Sequence, residues 1–518
     1  MAVDDDVSLR PEPPRGTQSA EQEAQALIAE ALAMERQGRS EQALVLLNES
    51  LLRFDGATDT AVHAQVARAL VNKAVILRRQ KRTEESMAAC DAVIQRLGGS
   101  TEASFQEWLA KALLNRMLHL VDQGRREEPL ALGDEIAQRF GGMSQASVLN
   151  SVAMAMNARA IHLWQIGRLP EAWTVLEEGL QRFGGVSEPA LLPGANSMRI
   201  SKALLLAVTG RKQEALDLFD EAIRSLDGGA SDEIHLQMSK ALVSKALVSM
   251  ELRRYAEVLP LCDELVRRFS GFGLVVLREA VARAFSLRAT ALSELSRPQE
   301  ELSTYDEQLR LLGEVEELPV REQVAQGLMG KALLMRRMRQ PEAALDALDA
   351  LLQREGEAGE APLRELVARA LWSRIVLLVE LARPEQVVSC CDEMIQRFGS
   401  ERSGRIPRML ARALVHKGSV LKKLHRYEEE LAAYDGALQR FGADVAPEEQ
   451  ELVALALFDK GVALEHLDRL EEALAVHDQL LRRFGGASEE SVLAFVEKAL
   501  LRKDRIQEQL RRHGAQPS

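Results

Sequence analysis

The run Gly327-Leu328-Met329-Gly330-Lys331 is the nearest this chain comes to a phosphate-binding loop, yet its spacing is wrong. Ala332 also stands where a Ser or Thr is required. Histidine and cysteine, the other residues that bring catalysis or metals, are no better placed. The nine histidines are scattered, with no HExxH and no His/Cys cluster at metal spacing. The four cysteines, Cys90, Cys262, Cys390 and Cys391, form no CxxC pair, which argues against a zinc site and a redox motif alike. No Ser or Cys nucleophile has a recognisable setting. No enzyme activity, metal or cofactor is therefore expected. What remains is the chemistry of charges repeated at fixed spacing.

Two such charges recur every 43 residues. A basic residue runs from Lys73 and Arg116 through Lys245 and Arg288 to Lys460 and Lys503. An acidic one runs from Asp91 and Asp134 through Asp220 and Asp263 to Asp435 and Asp478. At helical spacing Lys73 shares a face with Val66, Ala69, Leu70 and Leu77, and Asp91 with Met87 and Ile94. On apolar faces neither charge would stay unpaired, so a ladder of ion pairs is expected, one per repeat. In the first repeat Glu30 and Asn48 replace both members, which avoids setting two carboxylates against each other. Lys503 has no later Asp in its own unit and would need Asp478. Pairing within repeats and pairing between them are both open at this level.

A repeat positions these charges. The Phe of the phrase QRFGG falls at Phe54, Leu97, Phe140, Phe183, Leu226, Phe269, Leu312, Glu355, Phe398, Phe441 and Phe484, with no insertion or deletion. Ala, Leu, Glu and Arg dominate and favour helix, and 46% hydrophobic content suffices for a large core. In ARALVHKGSVLKKLHRYEEELAAYDGALQRFG a first helix runs to about Leu424. A polar turn follows at His425–Arg426, and a second helix ends near Phe441. Gly442 is expected as a left-handed cap, and Gly98, Gly141, Gly184, Gly399 and Gly485 repeat that stop signal. Small residues such as Ala69, Ala112 and Ala155, each followed by Leu or Met, let neighbouring helices approach closely. Two units are irregular. Pro193-Gly194 should delay the fifth first helix to about Ala195 and leave a gap or a mobile loop, and Glu355 replaces Phe in the eighth repeat.

The unit resembles the tetratricopeptide repeat. Lys417-Gly418, Arg426-Tyr427-Glu428-Glu429 and Ala433-Tyr434-Asp435 carry the likeness. Lys460-Gly461, Arg469-Leu470-Glu471-Glu472-Ala473-Leu474 and Asp478 repeat it. The period departs from that family's usual value of about 34. The resemblance implies an all-α, right-handed α-solenoid of antiparallel helix pairs, with eleven repeats over residues 20–486. A disordered tail is expected over 1–19, a capping helix over 487–511 and a short tail over 512–518. The resemblance also implies that first helices line a concave groove. There Arg68, Lys111, Lys240, Arg283, Arg369 and Arg412 would contact a ligand, with Asn72 and Asn115 following the first two by one helical turn. Trp372 falls on a groove-facing position as well. Such a groove suits an acidic or carboxylate-ended segment held by charge-assisted hydrogen bonds. The family's carboxylate clamp is not reproduced, because Val71 and Val75 occupy its Lys and Asn places.

A net charge of −12 with evenly spread Lys and Arg argues against nucleic acid. No run approaches the roughly 18 apolar residues of a membrane span. The start, MAVDDDVSLRPEPPRG, is not a secretory signal, and free cysteines fit a reducing compartment. The expectation is a cytoplasmic, non-enzymatic scaffold that binds a peptide or partner protein. The alternative is a regulatory sensor whose solenoid changes shape on binding a small ligand or signalling peptide.

Overall fold

The computed structural model describes residues 17–185, 188–402, 404–442 and 449–514; of the tails expected over 1–19 and 512–518, residues 1–16 and 515–518 lie outside these, while 17–19 and 512–514 belong to helices. Among the described residues there are twenty-three helices. Repeats one to four are α1 (Thr17–Arg36) with α2 (Ser40–Phe54), α3 (Thr60–Arg79) with α4 (Thr83–Leu97), α5 (Ala103–Asp122) with α6 (Glu128–Phe140), and α7 (Ala146–Gln165) with α8 (Leu169–Phe183). Repeats five to eight are α9 (Leu192–Val208) with α10 (Lys212–Leu226), α11 (Asp232–Glu251) with α12 (Tyr255–Phe269), α13 (Val275–Glu294) with α14 (Pro298–Leu312), and α15 (Leu318–Arg337) with α16 (Pro341–Glu355). Repeats nine to eleven are α17 (Ala361–Glu380) with α18 (Pro384–Phe398), α19 (Ile406–Lys423) with α20 (Tyr427–Phe441), and α21 (Gln450–His466) with α22 (Leu470–Phe484). The helix α23 (Glu490–Gly514) follows them. This is an all-α solenoid of helix pairs, and it divides into two compact units, up to Val320 and from Arg321.

The helices follow from local chemistry. The Asp59 carboxylate accepts the backbone N–H groups of Ala61 and Val62 at 3.0 and 3.2 Å and so caps α3. Val62, Val66, Ala69, Leu70 and Ala74 then bury one stripe of α3, and it packs with Ala89, Cys90, Val93 and Leu97 of α4. Proline opens α14, α16 and α18 in the first turn, where its missing N–H costs nothing. The four cysteines are free and buried. Burial pushes the thiols of Cys90 and Cys262 up to about 12 and that of Cys390 to about 11, and it raises that of Cys391 further. They pack as small apolar side chains and are not poised as nucleophiles.

The left-handed position lies elsewhere than expected. It is in the tight turn between the two helices of a repeat, at Gly38, Lys81, Gly124, Gly167, Gly210, Arg253, Ser296, Arg339, Ala382, His425 and Asp468, with φ from 52 to 87°. The glycines after the Phe position are right-handed, with φ of −57° at Gly98, −61° at Gly141 and −67° at Gly184. Gly442 has φ 69° but ψ −163°, so it is not a left-handed helical cap either. Close approach favours glycine here, since a Cβ at Gly98, Gly141 or Gly184 would stand 2.3–2.5 Å from the carbonyl oxygen four residues back, although Asp55 and Ser270 hold the same position.

In several repeats the arginine of QRF ties the unit to the one before. Arg139, Arg397 and Arg483 donate to the carbonyl oxygens of Gly98, Gly356 and Gly442 at 2.6, 2.8 and 2.7 Å. A cation thereby meets the free carbonyls at a helix C-terminus. Where Asp replaces that glycine the arginine takes its carboxylate, as in Arg96–Asp55 at 2.5 Å and Arg268–Asp227 at 2.7 Å. The irregular fifth repeat is tightly packed. α9 begins at Leu192, not near Ala195, with Pro193 in its first turn. The N–H of Gly194 donates to Asn150 Oδ1 at 2.7 Å, and a Cβ there would stand 2.7 Å from that of Ala153. The expected gap is thus a close crossing of α9 over α7. Within the first unit the α1–α2 turn meets the loop after α12. Arg36 Nε lies 2.9 Å from Asp232, and Gly273 sits against the Arg36 carbonyl.

Candidate partner-binding site

The ion-pair ladder is structural, and it joins neighbouring repeats. Acids of the second helices pair with the basic residue 25 positions later, in the next first helix. Arg116–Asp91, Arg159–Asp134, Lys202–Glu177 and Lys245–Asp220 lie at 2.5–3.2 Å in the first unit. Arg374–Asp349, Lys417–Asp392, Lys460–Asp435 and Lys503–Asp478 lie at 2.5–2.8 Å in the second. By this register Asn48 belongs with Lys73, so Glu30 and Asn48 sit on different rungs and their joint replacement does not avoid a clash of carboxylates. The acids are also less buried than an apolar face implies: Asp91 and Asp435 keep 50% and 56% of their side-chain exposure.

The nine residues expected to line a groove fall on first helices, in different states. Lys111 and Asn115 are engaged within the first unit. Lys111 Nζ is 2.7 Å from Glu107 and 4.8 Å from the centre of the Trp108 ring. Asn115 is buried, and its amide donates to the Lys111 carbonyl at 3.0 Å. The Arg68 guanidinium stands 6.0 Å from the same Trp108 ring, and Asn72 is half-buried. Arg412, in the second unit, donates to Glu449 at 3.2 Å. Lys240, Arg283 and Arg369 are exposed and form no ion pair among the described residues. Lys240 is open to water by surface area, yet desolvation by the surrounding chain lowers its ammonium below the usual lysine pKa. Direct exposure shows that water reaches the group, and the shift shows that protein crowds it.

Arg369 and Trp372 come together in a cleft of about 600 Å³ within the second unit. α15 supplies Gln326, Met329, Gly330 and Leu333, α16 supplies Leu348, and α17 supplies Leu366, Ser373 and Val376 beside them. Sequence reasoning missed the α15 wall, though part of it lies in the run rejected as a phosphate loop. The signal was available: Met329 and Leu333 precede Trp372 and Val376 by one repeat, so they occupy the same face. Trp372 also meets the His416 ring at 5.3 Å, and burial lowers the pKa of that imidazole, which favours its neutral form. Among the described residues no His/Cys/Asp/Glu group could hold a metal ion, and no helix is long and apolar enough to cross a membrane.

Residues 28–101 and 153–230 match the tetratricopeptide repeat family model. The matched segments are tetratricopeptide repeats, and the 43-residue spacing of the sequence continues beyond them. Repeats of this kind support a role in protein interaction. No curated protein sequence matches the chain. Among solved structures, the apo form of RapI is 11% identical over 78% of this chain and 99% of its own, with a TM-score of 0.45. The apo form of the quorum sensor NprR from B. thuringiensis is 13% identical over 72% of this chain and 98% of its own, with a TM-score of 0.38. The tetratricopeptide domain of P58(IPK) is 16% identical over 77% and 98%, with a TM-score of 0.23. At such scores these likenesses carry no argument about function.

Proposed function

We propose that the chain is a non-enzymatic, cytoplasmic scaffold whose first helices bind an acidic peptide or partner protein. One observation carries this reading. The ladder residues are closed by acids of the neighbouring repeat, whereas Lys240, Arg283 and Arg369 on first helices have no acidic partner among the described residues, in a chain of net charge −12. A cation left open where its neighbours are paired favours an anionic partner from outside. The test is affinity capture from the source cell extract with the full chain and with a Lys240→Glu/Arg283→Glu/Arg369→Glu variant. Loss of the captured proteins is expected, and undiminished recovery would refute the groove.

A sensor is the second reading. Besides the backbone packing of Gly273 on Arg36, the junction of the first and sixth repeats holds one partly exposed ion pair, Arg36–Asp232, and such pairs are weak enough for a ligand to break. A ligand-dependent change in radius of gyration by small-angle scattering would favour it over the rigid scaffold.

A further inference from the structure

The cleft between α15, α16 and α17 is shaped and charged for one kind of ligand. Its floor is apolar, with Leu348 and Leu366 only 1% and 5% exposed. Its rim carries Leu333, 57% exposed, on a face where water gains nothing by touching it. Trp372 forms one side. The volume lies in the range of pockets that enclose a small ligand or a few side chains.

The charge is one-sided. Arg336 and Arg369 are the ionisable side chains of the lining, and no carboxylate lines it. Arg336 is held by Glu380, outside the cleft. Arg369 has neither an ion pair nor a side-chain hydrogen bond among the described residues. Farther along the same face the next cation, Arg412, is taken by Glu449, and His416 stands between. The face therefore offers one free positive charge beside one apolar recess, and a polyanion would find no second cation there.

We propose that this cleft seats a large apolar side chain of an extended acidic peptide while Arg369 holds a carboxylate of the same peptide one to three residues away. The proposal rests on the scaffold reading above and gives it a place and a ligand chemistry. The apolar side chain covers Leu333 and stacks on Trp372; the carboxylate takes the guanidinium fork; Ser373 and Gln326 remain to donate to the peptide backbone. Specificity then comes from two points at once. An acid without the apolar side chain, or the reverse, binds weakly.

The test selects random twelve-residue peptides displayed on phage against the full chain. Synthetic, end-blocked copies are then measured by tryptophan fluorescence and calorimetry. Selected peptides are expected to share a large apolar residue within three positions of Asp or Glu. Replacing that acid by its amide should weaken binding about tenfold or more, as should Arg369→Glu or Leu333→Glu in the protein. Arg310→Glu, exposed on the second helix α14 and outside both the cleft and the first-helix cations, should change affinity less than about twofold, and Trp372→Phe should abolish the fluorescence response. Arg369 and Leu333 are both exposed, and an unchanged circular dichroism spectrum shows that each variant folds. Peptides whose affinity ignores Arg369→Glu overturn the cleft while leaving the scaffold reading intact. Failure to select any binding peptide also overturns the cleft, and the capture experiment then decides the scaffold by itself. Phenylacetate binding as tightly as the peptides, and competing with them, would overturn the proposal in favour of a small organic acid.

Discussion

Between-repeat pairing of the ladder can be tested by mutating Lys245, Asp220 and Asp263. Lys245 keeps 18% of its side-chain exposure and Asp220 46%, and Nζ lies 2.5 Å from Oδ1. Exposed pairs contribute about 0.2–1 kcal/mol, and burial of one partner favours the upper end, so a coupling of about 1 kcal/mol is expected between Lys245→Met and Asp220→Asn. Asp263 belongs to the same repeat as Lys245 but pairs with Arg288 at 3.3 Å. The cycle of Lys245→Met with Asp263→Asn should therefore couple by less than about 0.3 kcal/mol. Repeat arrays do not unfold as one unit, so the assay is native-state hydrogen exchange of α10 to α12, which reads local opening. A larger coupling to Asp263 than to Asp220 would refute the register of the ladder, and with it the account of how adjacent repeats lock.

Three further outcomes follow from single residues. Glu430 is fully buried in α20 with no hydrogen bond to either oxygen, and burial, helped by the nearby Asp459, pushes its carboxyl up to about 8. A raised folded-state value means the folded chain keeps a proton that the unfolded chain releases. Stability should fall as pH rises from about 4.5 to about 8 and level off above. Glu430→Gln removes that loss. Its advantage over the natural residue should grow from near zero at pH 4.5 to the order of 3 kcal/mol at pH 8, whereas a pH-independent difference in exchange of α20 would contradict the assignment. Ala382 is exposed with φ 52°, so Ala382→Gly should slow local opening of α17 and α18 by about 1 kcal/mol, and faster opening would deny the strain. Glu355 is buried and joins Arg321 at 2.6 Å and Arg354 at 2.9 Å. Glu355→Ala should cost about 2 kcal/mol, below a fully buried pair because both arginines keep about a fifth of their exposure. Glu355→Phe restores the commonest residue at this position but removes the buried carboxylate shared by Arg321 and Arg354, with Glu360 still beside Arg321, so denaturation should show it destabilised as well.

The helix pairs were legible because the phrase QRFGG carries their register across the whole chain, so one repeat explains ten others. Where the register names a residue but not its backbone, reading failed. Glycine occupies the left-handed turn at Gly38, Gly124, Gly167 and Gly210, but Lys81, Arg253 and Ala382 occupy it elsewhere, so the position carries no constant residue to notice. The glycines that recur after the Phe position, such as Gly98 and Gly141, lie against a carbonyl that no periodicity reveals. The stripe of first-helix cations was visible as spacing. Which of them stay free was not, because Glu107 quenches Lys111 from one turn away while Glu449 reaches Arg412 from the next repeat. The cleft needed both walls at once, and Met329 and Leu333 stand one repeat before the residues they face.

The claim that partners bind through first helices is tested most directly by hydrogen exchange on the full chain with its captured partner bound. Protection is predicted on the accessible faces of α11, α13 and α17, centred on Lys240, Arg283 and Arg369, with α10, α12 and α18 unchanged. Protection confined to the second helices, with the first helices exchanging as in the free protein, would contradict the account.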